Sequence, residues 1–76
     1  MITSNQIRAA RALLRWDRGK LAATAKVGIS TVQRMEGAEG VPSAWGRNLA
    51  AVQRVLEAAG VEFINGDTPG VRLRKV

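Results

Sequence analysis

The first third of the chain combines apolar and basic residues at the spacing of an amphipathic helix. Apolar positions recur at intervals of three and four, and arginines occupy positions between them. Just upstream, residues 3–6 (Thr-Ser-Asn-Gln) have the form of a capping box, in which a Thr hydroxyl and a Gln side chain each satisfy a backbone amide. We therefore expect a first helix from about Ser4 to Arg15. The apolar positions of this pattern are Ile7, Ala10, Leu13 and Leu14.

Two shorter helices are expected next, on either side of a three-residue interruption. Asp17 is a good N-cap, so a second helix opens there and extends to about Ala25. Residues 26–28 (Lys-Val-Gly) interrupt the pattern, and a third helix follows from Ile29 to residue 35 or 36. The residues expected on the buried sides of these two helices are Leu21, Ala22, Ala25, Val32 and Met35.

The remaining sequence predicts a fourth helix and a β-hairpin. After a turn-rich segment at 37–43, apolar residues recur at helical spacing from about Gly46 to Ala59, and Gly60 is a natural terminator. The last residues combine β-prone and turn-forming runs, which predict a C-terminal hairpin within 61–75. The predicted fold is therefore mainly α, with four to five helices and a short C-terminal β-hairpin.

The size of the chain favours one domain over residues 1–76. A domain this small buries only about 60% of its unfolded surface, so its stability is often shared with a partner subunit. No apolar run approaches the roughly 18 residues of a membrane span, and the first residues lack the layout of a signal peptide. We expect a cytoplasmic protein without a membrane partner.

The charge balance favours a polyanionic partner. Twelve Lys and Arg residues against six Asp and Glu residues give a formal net charge of +6, and each phosphate that a cation neutralises releases condensed counterions. Charge that serves only solubility is one alternative, and an anionic membrane surface is another. The membrane alternative predicts bulky aromatics opposite a basic helix face, whereas the three aromatic residues here are scattered.

Catalytic constellations are scarce in this sequence. It contains no His and no Cys, which excludes serine–histidine and cysteine–histidine nucleophiles and the ordinary zinc sites. The six acidic residues are dispersed, and no Gly-rich loop has the P-loop form. We therefore predict that the protein is not an enzyme and uses no cofactor or metal.

Residues 17–36 are typical of a helix-turn-helix, with two short helices and a tight turn. A small residue at Ala22 lets the helices cross closely, and Val27 fills the turn. With Val32 and Met35 turned inward, the third helix is short enough to enter a major groove of double-stranded DNA. The residues left on its outward face are Ile29, Ser30, Gln33 and Arg34.

The side chains on this outward face suit base recognition. Gln33 can pair with adenine and Arg34 with guanine. The alternative is an ordinary helical hairpin with a solvated outer face. An isoleucine such as Ile29 brings no benefit on a solvated face, whereas on a DNA-binding face it can contact the methyl group of a thymine. We predict that Ile29, Ser30, Gln33 and Arg34 contact base edges.

Residues 21–37 (LAATAKVGISTVQRMEG) resemble the signature of the Cro and phage-repressor type of regulators, the XRE family. The similarity extends to residues 6–14 and 56–63, and residues 69–74 are similar to the ending of small bacterial members that carry a β-hairpin. The resemblance implies a lambda-repressor-like fold and a homodimeric transcriptional regulator, a repressor that binds an inverted-repeat operator. It also implies an ion pair between Arg11 and Glu36 that supports the scaffold.

The resemblance implies phosphate contacts as well. Arg18 stands where the family usually has a phosphate-binding Gln, and Lys26 stands where a left-handed Gly is common. Gly28 replaces a capping Ser or Thr, and Gly19 costs up to about 1 kcal/mol of helix propensity in the first turn. The predicted phosphate ligands are Arg18, Lys26 and Thr31, together with Ser43, Arg47 and Asn48. The last three are predicted from the positive end of the fourth helix and not from the resemblance, and loop solvation and capping explain them equally well.

Two other functions remain open at this point. A helix-turn-helix can act as a protein-interaction module, an antitoxin or anti-activator, whose main partner is a regulatory protein. Non-specific nucleoid or RNA binding is the other, although the distinct chemistries of Gln33, Arg34 and Ile29 favour sequence-specific recognition. A homodimer would form through the fourth helix or the hairpin, whose basic edge (Arg72, Arg74 and Lys75) either contacts DNA or protects the edge from aggregation.

Overall fold

The computed structural model describes residues 2–37 and 46–74. Within these ranges the protein is mainly helical and ends in a two-stranded antiparallel hairpin, as the sequence predicts. Ser43 and Lys75 lie outside the described residues. The elements are α1 (Ser4–Leu14), α2 (Arg18–Ala25), α3 (Ile29–Gly37), α4 (Gly46–Ala58), β1 (Val61–Ile64) and β2 (Gly70–Leu73).

The capping box at the start of α1 forms as predicted. The Thr3 hydroxyl accepts from the Gln6 amide at 3.1 Å, and the Gln6 side-chain oxygen accepts from the Thr3 amide at 2.8 Å. The helix ends at Leu14, one residue before the predicted end, because Arg15 adopts the left-handed conformation (φ 57°, ψ 37°). Its amide donates to the Ala12 carbonyl at 3.1 Å and closes the last turn.

The connection between α2 and α3 also follows the local signals. The Asp17 carboxylate accepts from the Lys20 amide at 2.7 Å and starts α2. Lys26 ends that helix in the left-handed conformation (φ 59°, ψ 43°), at the position where a left-handed residue was expected. The Gly28 carbonyl accepts from the amides of Thr31 and Val32, so α3 starts at Ile29 and extends one residue past its predicted end.

One apolar core joins the helices to the hairpin. The predicted inward residues of α2 and α3 are all buried. Leu13 departs from the predicted apolar stripe, since it is 41% exposed. At 3.6 residues per turn it lies about 120° around α1 from the fully buried Ile7. The buried apolar residues are Ile2, Ile7, Ala10, Leu21, Ala22, Ala25, Val32, Met35, Leu49, Val52, Leu56 and Val61.

The hairpin is fixed to the start of α1 by one buried side chain. The side-chain nitrogen of Gln6 donates to the carbonyls of Ile64 and Gly70, each at 3.0 Å, and these two residues are paired at the turn end of the strands. At the other end, Gly60 turns the chain out of α4 with φ 110°, and its carbonyl accepts from the Arg74 amide at 2.7 Å. The hairpin is therefore held at both ends.

Candidate nucleic-acid interface

The four predicted base-contacting residues all lie on the exposed face of α3. Ile29 is 50% exposed, although it is a large apolar residue, and Ser30, Gln33 and Arg34 are exposed beside it. Residues four apart on a helix are neighbours, so Ile29 with Gln33 and Ser30 with Arg34 form two adjoining rows. The opposite side of the helix is anchored by the fully buried Val32 and Met35, which fix its rotation about its own axis.

A groove runs between the first turn of α2 and the exposed face of α3. Its volume is about 650 Å³. It brings the predicted base contacts Ile29 and Gln33 to the same surface as Arg18, a predicted phosphate ligand. Apolar, amide, cationic and anionic groups therefore meet in this α2–α3 groove. Its lining residues are Arg11, Asp17, Arg18, Gly19, Ile29 and Gln33.

Behind the groove, Glu36 is buried between two arginines. Its side chain is 1% exposed, and its carboxylate accepts from Arg11 at 2.8 and 3.1 Å and from Arg18 Nε at 3.0 Å. The predicted Arg11–Glu36 ion pair is confirmed. The second pair, Arg18–Glu36, was not predicted, and it orients a residue that lines the groove.

The charges of this cluster stabilise one another. Burial acts to raise the pKa of Glu36, but the hydrogen bonds from Arg11 and then Arg18 outweigh it and hold that pKa below its ordinary value. The hydrogen bond to Glu36 raises the pKa of Arg11 against the opposing effect of burial. At neutral pH the carboxylate of Glu36 and the guanidinium group of Arg11 are therefore ionised.

Arg18 combines an internal bond with exposure to solvent. Its Nε is held by Glu36, while its side chain remains 46% exposed. Because a guanidinium presents five donors in a rigid plane, fixing Nε also fixes the direction of the Nη groups. The geometry thus supplies an oriented cation at the rim of the groove, and the phosphate contact itself stays a prediction.

The other predicted phosphate ligands lie outside the lining of the groove. Lys26 is exposed at the end of α2, and Thr31 is half-buried in the first turn of α3. Arg47 and Asn48 are exposed in the first turn of α4. Ser43 is outside the described residues, so its predicted role stays a prediction.

Basic charge is concentrated in the helices that form the groove. Residues 2–37 carry seven Lys and Arg residues and two acidic residues, whereas residues 46–74 carry four and three. Both acidic groups of the first region serve its structure, since Asp17 caps α2 and Glu36 is buried. Apart from Asp17, which is exposed and lines the groove, the outward charge around the groove is therefore positive.

Two features of the site exceed what the sequence pattern predicts. Gly19 is notable in the sequence only for its low helix propensity, yet it forms part of the groove wall. Arg18 donates a hydrogen bond to Glu36, which lies 18 positions later in the sequence. The only signal for this ion pair in the sequence was a basic residue at the start of one helix and an acidic residue at the end of the next.

Comparison with known proteins gave no match: no protein-family model matches the chain, and no curated protein does. In the described part of the chain, no helix is both long enough and apolar enough to cross a membrane. In the same part, no three Asp or Glu side chains are grouped as metal ligands would be.

Proposed function

We propose that the protein is a sequence-specific regulator of transcription that binds double-stranded DNA through a helix-turn-helix formed by α2 and α3. The single observation that carries this proposal is the α2–α3 groove, where Ile29 and Gln33 meet the oriented cation of Arg18 in the most basic region of the chain. We further propose that it is a small regulator of the XRE type, cytoplasmic and nucleoid-associated.

The dimensions of α3 suit the major groove of DNA. Its nine residues correspond to a length of about 13 Å and a diameter of about 10–12 Å, and the major groove is about 12 Å wide. In this pose Gln33 pairs with adenine and Arg34 with guanine, while Ser30 serves as an adaptable donor or acceptor. The apolar contact of the set comes from Ile29.

Phosphate contacts surround this helix in the proposed complex. Arg18 contacts a phosphate through its Nη groups while Glu36 holds its Nε, so the entropy of ordering this side chain is already lost in the free protein. Lys26 and Thr31 contact phosphates beside the start of α3, and Arg47 and Asn48 do so from the first turn of α4. None of these contacts depends on sequence, so they set register and affinity.

We propose that two copies bind an inverted repeat, as a repressor, and pair through the hairpin or α4. The hairpin exposes two large apolar side chains, Ile64 at 40% and Leu73 at 46%. The strand register places them on opposite faces of the hairpin, so each face offers one apolar side chain for burial against a second copy, and a two-fold pairing of proteins matches the symmetry of an inverted repeat.

A protein-interaction module, an antitoxin or anti-activator, is the second candidate. The half-exposed Ile29 favours it, because an isolated apolar residue beside a polar groove also suits a protein partner. The two candidates differ in their use of the basic surface, since only DNA binding requires the cations around the groove. The salt dependence of binding therefore separates them.

Selection from a random duplex pool tests the proposed function. The purified protein should enrich a common sequence with an inverted repeat, and a mobility shift at about 150 mM salt should show tighter binding to that duplex than to a scrambled one. Equal affinity for both duplexes would refute sequence-specific regulation. Failure to bind any duplex, together with capture of one protein partner that buries Ile29, would favour the interaction module.

A further inference from the structure

Gly19 leaves a methyl-sized space in the wall of the α2–α3 groove. A Cβ placed on this residue would lie 3.9 Å from Ile29 Cδ1 and 3.4 Å from Asp17 Oδ1. Both are ordinary van der Waals distances, so an alanine side chain would fit here, and its absence lets another group approach the Gly19 backbone more closely. The isoleucine side of this space is apolar.

The backbone does not explain why glycine occupies this position. Gly19 lies inside α2, in a helical conformation that every residue adopts and where glycine is less favourable than alanine. Alanine would fit the space and stabilise the helix. The missing Cβ therefore has its clearest consequence in the groove, where it leaves room beside the exposed side chain of Ile29.

We infer that this space receives the 5-methyl group of a pyrimidine in the major groove of the bound DNA. The inference rests on the proposed function and deepens it by naming Gly19 as a residue that determines specificity. The 5-methyl group is the apolar group that a base pair presents in the major groove. Packed at van der Waals distance on the Cα of Gly19, which carries no side chain, it lies on the side of the groove that faces Ile29.

The neighbouring groups fit a base edge around this methyl group. Gln33 lines the same groove, one helical turn beyond Ile29, and reaches an adjacent base pair. The Asp17 carboxylate lies on the other side of the space and is the acceptor that a cytosine amino group requires. Thymine and 5-methylcytosine share the methyl group and differ in the group next to it, so the experiment includes both.

The test has two parts: one removes the methyl group from the DNA, and the other adds a methyl group to the protein at position 19. The starting duplex is the one selected from a random pool, and single thymines in it are replaced by uracil. We expect one replacement to weaken binding of the wild-type protein about three- to tenfold. In the G19A variant the new Cβ excludes the methyl group from this space, so the thymine duplex should lose its advantage over the uracil duplex.

A matched glycine in the hairpin provides the control. A Cβ at Gly70 meets no atom within 4 Å, and the G70A variant should keep the full preference for thymine. A second pair of duplexes, with cytosine or 5-methylcytosine in place of the critical thymine, identifies the source of the methyl group. The thymine duplex binding tighter than the 5-methylcytosine duplex assigns the space to thymine, and the reverse order assigns it to 5-methylcytosine.

The outcomes separate this inference from the proposed function. If a duplex is selected but uracil and thymine bind alike at every position, the methyl contact is wrong while sequence-specific binding stands. A thymine preference that persists unchanged in G19A would likewise overturn the assignment to Gly19. If no duplex is enriched, the proposed function fails and this inference fails with it.

Discussion

The two regions of the molecule, residues 2–37 with α1 to α3 and residues 46–74 with α4 and the hairpin, use charge in opposite ways. In the first region Glu36 is buried between two arginines and Asp17 is the exposed cap of α2, while seven basic residues outnumber these two acidic ones. In the second region acidic and basic groups are nearly balanced, and Glu62 pairs with Arg72 across the two strands at the surface.

The exposed apolar residues of the two regions also have different surroundings. Ile29 is exposed beside polar groove residues, whereas Ile64 and Leu73 are exposed on a nearly neutral hairpin. Net charge alone therefore understates the contrast between the regions, because the buried carboxylate of Glu36 does not offset the exposed cations of the first region. It also supports assigning DNA to the first region and a second protein copy to the hairpin.

Replacing Glu36 with glutamine should have the largest effect. The substitution leaves Arg11 and Arg18 without their carboxylate, and we expect the free energy of unfolding to fall by about 2–3 kcal/mol, at the low end for a buried pair because Arg18 is half exposed. Urea denaturation followed by circular dichroism measures it. The matched variant Glu62→Gln, at a surface pair, should change stability by less than about 1 kcal/mol. If the free energy of unfolding fell equally in the two variants, the proposed difference between a buried and a surface carboxylate would be wrong.

Acid should weaken the first region through the same carboxylate. The pKa of Glu36 is lowered in the folded protein, so the unfolded chain binds more protons and the stabilisation is present above the unfolded pKa of about 4.3. It is lost as the pH falls through the lower, folded pKa. The difference in unfolding free energy between wild type and Glu36→Gln should therefore shrink below about pH 4. A difference that stays constant down to about pH 2.5 would contradict this.

Substitutions on α3 should affect DNA binding and leave stability nearly unchanged. We expect Gln33→Ala and Arg34→Ala each to lose about 1–3 kcal/mol on the selected duplex and to relax the preference at one base position. Fluorescence anisotropy with cognate and scrambled duplexes measures both effects. Gln53→Ala and Arg54→Ala, on α4, are the matched controls and should retain wild-type affinity. Losses of the same size on both helices would assign no special role to α3.

Arg18→Ala should weaken binding to every duplex to a similar extent. Because its proposed partner is a phosphate, the slope of log affinity against log salt should decrease by about one. The same titration on Arg54→Ala, on α4, should leave the slope unchanged. A loss confined to one base sequence would show that Arg18 contacts a base.

The smallest expected effect concerns the start of α3. Gly28 occupies the capping position, and a Cβ there would meet only the hydroxyls of Thr31 and Ser30, at 3.7 and 3.8 Å. Gly28→Ser adds a side-chain acceptor and should raise the free energy of unfolding by a few tenths of a kcal/mol. A thermal melt compared with wild type measures it, and a lower melting temperature would indicate that the glycine is needed for the turn.

Local signals account for the elements that the sequence predicts well. Thr3 and Asp17 start helices through bonds to amides three residues away, so the helix bounds follow from short stretches of sequence. The outward face of α3 follows from helical periodicity once Val32 and Met35 are assigned to the core.

Contacts between distant residues account for what the sequence does not predict. Gln6 contacts Ile64 and Gly70 across about three quarters of the chain, and its capping role gives no sign of this second use. The groove likewise depends on how α2 and α3 cross, so the position of Gly19 in its wall becomes visible only when the two helices are packed together.

The double hydrogen bond of Gln6 has a consequence for the spacing of the DNA sites. It fixes the tilt of the hairpin against α1, and α1 in turn is tied to the end of α3 through Arg11 and Glu36. In a dimer joined through the hairpin, these rigid links would set the separation of the two recognition helices. The hydrogen bonds of Gln6 would thus help to hold the two recognition helices at the distance that matches half-sites about 34 Å apart.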